Sequence, residues 1–212
     1  MQRVQSAVYG SSPKERDCMI LEPTGADDIL LSDTLKVLKF DPNEHPKDYG
    51  NCVVIKPWGF EFEMFDDKKH AIWMLNLKPN RSTSLHCHQH KTVCLIPLIG
   101  ELTLITLDQR FTVRPMESVS LMPKVFHCLW NSGRSDVVLV EIETPSLKLD
   151  LVRAEDAYGR EKKGYEGENY IIRENLEQYG YGRIGEDETI NRFGHDISIS
   201  QGGISIRKPV DA

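Results

Sequence analysis

Three of the chain's seven histidines fall within five residues, in His86-Cys87-His88-Gln89-His90. On a β-strand, side chains alternate between faces, so His86, His88 and His90 start out on one face while Cys87 turns away. Two imidazoles two residues apart, joined by a third from a neighbouring strand, suit a divalent metal that prefers nitrogen. His127, closing Val125-Phe126-His127, is the distant partner that a barrel built from hairpins brings opposite. A lone inward histidine is more often a hydrogen-bonded core residue, and His-x-His by itself is a weak pattern. The second motif at a workable distance favours ligation here.

The elements around these histidines read as strands. From Cys52 to about Thr144 the chain alternates in short runs, among them Phe60–Phe65, Ala71–Leu77, Ser84–His88, Leu102–Leu107 and Val137–Ile142. Turn residues such as Pro79-Asn80, Ile99-Gly100 and Asn131-Ser132-Gly133 separate them, and no long helical period intervenes. The pattern predicts an all-β chain whose core, over 52–160, is one antiparallel β-barrel or jelly roll. Residues 1–51 form an N-terminal extension, turn-rich at Gly10–Pro13 and Asp41–Pro46, with a helix around Asp28–Leu38 that turns Ile29, Leu30 and Leu38 inward. Residues 161–212 form a C-terminal extension. In it Tyr170–Tyr179 reads as a short helix and Asp196–Lys208 as a hairpin, packed on the barrel or on a second subunit.

Composition narrows the function classes. At 212 residues, 40% hydrophobic and 27% charged, the chain has material for a folded core, and no stretch approaches the ~20 apolar residues of a membrane span. A net charge of −6 carries no basic footprint for nucleic acid or anionic lipid. The five cysteines are odd in number and include no C-x-x-C pair, which argues against a disulfide framework or a cysteine-built zinc site. With no apolar signal-peptide run near Met1, a reducing cytoplasm is expected.

The spacing of the histidines resembles the cupin superfamily. His86, His88 and Gly100 fall on its first motif, with Asn80 where a glycine would stand and Val93 where a glutamate would. His127 and Asn131 fall on its second motif, with Lys124 at a glycine position. Val54-Ile55-Lys56-Pro57-Trp58-Gly59 is similar to the opening strand of the cupin domain of type II mannose-6-phosphate isomerases. Asp150–Arg160 is similar to that family's closing segment. The resemblance covers roughly 54–160 and implies a double-stranded β-helix barrel, a divalent metal (Zn, Fe, Mn or Ni) and a sugar or sugar-phosphate ligand. It also implies a homodimer, for which the alternating Ile197–Ile206 segment is the pairing candidate.

This chain departs from the family at the metal. Val93 removes the family's glutamate ligand and His86 replaces its glutamine, leaving His86, His88 and His127. Losing a carboxylate removes a negative charge from the ion, which lowers the pKa of a bound water and favours an anionic substrate. Aldose–ketose interconversion also needs a base within reach of two adjacent carbons. His90, Glu101 and a metal-bound hydroxide are the candidates, with a rim or supporting role as the alternative for His90 and a solvated turn for Glu101. For a phosphate, Lys91 matches a family arginine, Arg153 and Arg160 lie in the closing segment, and Lys124 reaches toward the mouth. Any one of them serves equally well in a structural ion pair. Trp58 is a sugar platform or a core aromatic. Cys87 and Cys128 point away from the ligands beside them.

Three functions fit these residues. The first is a metal-dependent isomerase-like cupin acting on a phosphorylated or nucleotide-linked sugar. The second is a non-catalytic carbohydrate-binding or regulatory cupin, and the third a three-histidine mononuclear iron dioxygenase.

Overall fold

A computed structural model describes residues 18–38, 48–160, 165–200 and 203–209. The turns expected at Gly10–Pro13 and Asp41–Pro46 lie outside the described residues. Seventeen strands occur among those described, numbered β1–β17 in chain order, with one α-helix, α1 (Gly25–Leu35).

Two sheets make the barrel. The larger runs β1 (Cys18–Leu21), β10 (Ser118–Leu121), β7 (Thr92–Ile99), β12 (Val137–Thr144), β4 (Ala71–Leu77), β3 (Gly59–Asp66), β2 (Val53–Lys56) and β14 (Ile171–Ile172). The smaller runs β13 (Val152–Glu155), β6 (Leu85–Cys87), β11 (His127–Asn131), β8 (Leu102–Thr106) and β9 (Arg110–Val113), with the short β5 (Arg81–Ser82) also paired to β11. Trp73, Leu95 and Leu139 from the first sheet meet Leu102, Leu104 and Leu129 from the second in one core. This is the antiparallel barrel that the alternation predicts, in the jelly-roll, double-stranded β-helix form that the resemblance implies.

The extensions are built into the barrel. β1 adds a parallel strand to β10, and β14 an antiparallel one to β2. The expected hairpin is present and gains a third strand: β15 (Thr189–Arg192), β16 (His195–Ser200) and β17 (Gly203–Arg207) form a sheet of their own. Of the hairpin's Gly202-Gly203 turn, Gly202 lies outside the described residues. Ile197 and Ile199 pack on Phe60, Phe62, Met64 and Val140, which face outward from the large sheet. That apolar face is therefore covered by the chain itself, so this segment packs on its own barrel. It also explains why all seven residues of β4 are buried, since both of its faces are covered.

Two local expectations are corrected. The helix starts at Gly25, capped by Thr24 and Asp27, and Ile29 is 67% exposed while Asp27, Leu31 and Thr34 face inward. The capping box fixes the helix start and with it the buried face. Tyr170–Tyr179 is not a continuous helix but single 3-10 turns at Glu168–Tyr170 and Leu176–Tyr179 flanking β14.

The hairpin joining β2 to β3 pairs Lys56 with Gly59 across Pro57-Trp58. Gly59 sits at φ +149°, and a Cβ there would lie 1.9 Å from the Asn76 carbonyl oxygen on β4. Gly59→Ala is therefore expected to cost about 3 kcal/mol or more in a denaturant titration, by forcing the hairpin off its neighbouring strand.

Candidate metal centre and cavity

β6 and β11 run antiparallel with His86 and His127 in direct register. The imidazole centroids of this pair lie 4.4 Å apart. His88 follows one residue past the end of β6, with its ring 5.3 Å from His86 and 5.5 Å from His127. One ligating nitrogen from each ring falls within 4.8 Å of the others, which makes this a cluster of metal-binding type.

Hydrogen bonds decide which nitrogen each ring presents. Nδ1 of His86 meets the Ser84 carbonyl at 2.8 Å, Nδ1 of His127 the Val125 carbonyl at 2.9 Å, and Nδ1 of His88 the Asp150 carbonyl. A carbonyl only accepts, so each Nδ1 carries the proton and each Nε2 keeps a lone pair for a metal. Burial pushes the histidines down, His127 to about 4 and the other two well below their usual range, which keeps the rings in the neutral, ligating form. Two outer supports hold the frame. At the start of α1, Asp27 accepts from the Phe126 amide at 2.9 Å, one residue before His127. The Asp150 carboxylate accepts from the amides of Gln89, His90 and Lys91 at 2.8–3.1 Å and gathers the turn after His88. Asp150→Ala should loosen that turn and lower metal affinity by roughly 10–100-fold, as is usual for a lost supporting contact. Competition against a chromophoric chelator measures it.

Beside the histidines lies a cavity of about 50 Å³, room for about three waters. His86 and His88 line it together with Trp58, Lys91, Arg153 and Arg160. These six expected residues are thus brought together, and His127 stands against them through His86. Three others are not. His90 is exposed, because β6 ends at Cys87 and the turn on Asp150 replaces the alternation that would have aimed it inward. Glu101 stays in its turn, two-thirds exposed, 3.6 Å from Arg114. The Lys124 side chain leans outward to Asp28 at 3.5 Å, although its backbone amide donates to the His88 carbonyl at 2.6 Å. As placed here, neither His90 nor Glu101 offers a base to the cavity, and Lys124 offers it no cation.

The cavity also holds carboxylates that belong to neither histidine motif. Glu141 and Glu143 lie two apart on β12, so both face inward, and Glu143 is in register with Val93 on β7. The buried Glu143 pairs with Lys91 at 2.8 Å. Its carboxyl is held low because the charges of Lys91 and Lys148 outweigh the effect of burial. Glu141 has no hydrogen-bond or ion-pair partner among the described residues. Burial, with Glu143 and Glu61 nearby, lifts it to about 7 against the pull of Lys148. Glu61, on β3, is held at about 2 because Lys148 and Lys56 overcome its burial. A signal was present in the sequence: two acids two apart inside the apolar run Val137–Ile142 and beyond it, and again in Phe60-Glu61-Phe62-Glu63, put charges on an inward face.

A family model described as mannose-6-phosphate isomerase C-terminal matches residues 43–156, just over half the chain. The chain belongs to that family. Among curated proteins, this member of the mannose-6-phosphate isomerase C-terminal family is 25% identical over 138 residues to mannose-1-phosphate guanylyltransferase ManC of Salmonella typhimurium, covering 64% of this chain and 29% of that protein. It is 28% identical over 109 residues to xanthan biosynthesis protein XanB of Xanthomonas campestris, covering 50% of this chain and 23% of that one. The family member thus spans less than a third of the length of these relatives. Among solved structures, a Klebsiella pneumoniae protein with a double-stranded β-helix domain aligns at 13% identity and a TM-score of 0.42, covering 58% of this chain and 95% of that chain.

Proposed function

We propose that this cupin binds a divalent metal through His86, His88 and His127 and interconverts the aldose and ketose forms of a phosphorylated or nucleotide-linked sugar. The reading is carried by one observation: three inward Nε2 lone pairs stand beside a cavity that also holds a carboxylate lifted to about 7, Glu141. A metal so held supplies Lewis-acid polarisation of the sugar's oxygens. The chain's own groups do the rest. Glu141 takes the proton from the carbon beside the carbonyl and returns it to the neighbouring carbon, a transfer that needs a base poised near neutrality. Lys148, on the same wall, balances the charge that this carboxylate gains and loses. Trp58, 5% exposed, offers an apolar face to the sugar ring.

Incubating the full chain and metal with a panel of sugar phosphates in deuterium oxide tests the reading. Exchange of a substrate C–H for solvent deuterium supports it, and full metal content with no exchange anywhere in the panel sinks it. Val93 favours one other enzyme reading, because three histidines without a carboxylate ligand also suit mononuclear iron. Fe(II)-dependent oxygen uptake would separate the two. The placement of His90 and Glu101 outside the cavity favours the binding-only reading, for which ligand binding unaffected by His86→Ala is the signature. The homodimer and the cytoplasmic setting expected from the sequence belong to the proposal as well, and size measurement of the full chain addresses the first.

A further inference from the structure

Glu166 lies beyond the family's matched residues, yet its side chain is 3% exposed and lines the cavity. Its carboxylate is gripped from three directions. Arg160 donates at 2.5 Å, Arg153 at 3.4 Å, and the Lys56 ammonium closes on the second oxygen. Each cation is also tethered from behind: Arg160 to Asp156 at 2.6 Å, Arg153 to the Ser84 hydroxyl at 3.1 Å, and Lys56 to Glu61 at 3.4 Å. The three would therefore hold their places without Glu166.

The charge count points the same way. Five cationic side chains and four carboxylates line the cavity, and withdrawing Glu166 leaves five against three. Three buried cations converging on one point call for an anion between them, and the guanidinium fork suits a phosphate's paired oxygens as well as a carboxylate's. Glu166 also fills part of the space that His86 and His88 line.

The geometry points to an anion site formed by Lys56, Arg153 and Arg160 that the chain occupies with its own Glu166 carboxylate, in the place a substrate's phosphate group takes. Glu166 is then an internal competitor of the ligand. The idea deepens the proposed isomerase reading by locating the phosphate, and it fails or survives separately from it.

Phosphate binding by the full chain tests it, using calorimetry and thermal unfolding with inorganic phosphate and a hexose 6-phosphate as probes, against chloride at matched ionic strength. Glu166→Gln keeps the side chain's shape and removes its charge. It should bind one or both probes at least tenfold tighter than the unaltered chain, and adding Lys56→Met should erase the gain. A tighter hexose 6-phosphate marks a phosphate monoester as the source, and a tighter inorganic phosphate marks the free ion. Equal affinity in Glu166→Gln and the unaltered chain overturns the proposal, as does a gain that Lys56→Met leaves intact. Should Glu166→Gln fail to fold, Glu166→Asp decides: it keeps the charge but shortens the reach, and binding no tighter than that of the unaltered chain also overturns it. Phosphate binding without isotope exchange would leave the anion site standing and remove the isomerase. Exchange with no gain in Glu166→Gln would do the reverse.

Discussion

His127→Ala is expected to lower divalent-metal affinity by more than about a hundredfold, beyond the range for lost supporting contacts. The three rings converge because β6 and β11 pair His86 with His127 and the turn on Asp150 delivers His88. Removing one leaves two nitrogens, and neither of the nearest spare groups can substitute: Val93 is apolar and Glu143 is tied to Lys91 at 2.8 Å. The barrel core does not depend on that ring, so the variant should fold. Its melting temperature should then lose the metal-dependent rise of the unaltered chain, about 2.7 kcal/mol of stabilisation at a hundredfold excess over the dissociation constant. His90→Ala is the control. The exposed His90 should leave metal affinity within about twofold, since surface changes away from a site are usually near neutral. Equal metal content in His127→Ala and the unaltered chain, measured on protein purified without a metal-binding tag, would sink the assignment.

Glu141→Gln should lower the rate of substrate deuterium exchange by about 10²–10⁴, the usual contribution of a positioned base. Its pH signature sets it apart from a structural loss. In the unaltered chain the rate should climb as pH rises through about 7, where Glu141 becomes the free carboxylate. The glutamine variant should lack that rise. Stability moves the opposite way. The folded carboxyl titrates near 7, above the ~4.3 of an unfolded glutamate, so its favourable contribution is complete below the unfolded value and disappears as pH rises through 7. Glu141→Gln cannot ionise and should therefore be more stable than the unaltered chain above pH 7, while exchanging far more slowly. Rate and stability falling together would assign Glu141 to structure.

Much of the barrel could be read from alternation. Ala71–Leu77 is matched to the residue, and the degraded motif positions kept their backbone: Asn80 at φ +55° and Lys124 at φ +74° occupy the region that favours the glycines they replace. The three-histidine cluster was legible for the same reason, since His86 and His127 meet in register and His88 follows directly. His90 was misplaced because an alternation rule cannot see where a strand ends, and Asp150, sixty residues on, is what ends it. The charged wall was hidden for another reason. Glu141, Glu143 and Lys148 look like ordinary surface residues one at a time; the two-residue spacing of the acids is the one signal, and the pairing of β12 with β7 and β4 shows that it marks an inward face. Glu166 carried no motif at all, and its place in the cavity is set by contacts 6 to 110 residues distant in sequence.

β1 and β14 occupy the two ends of the large sheet, and they come from outside the segment that matches the family. A barrel cut to residues 43–156 would present the bare edges of β10 and β2, rows of unpaired amides open to any passing strand. It would also lay bare Phe60, Phe62 and Met64, which Ile197 and Ile199 now cover. The four-residue and two-residue end strands are short enough to offer little template themselves. The extensions thus cover both sheet edges and the outer apolar face, the surfaces through which bare barrels would join edge to edge.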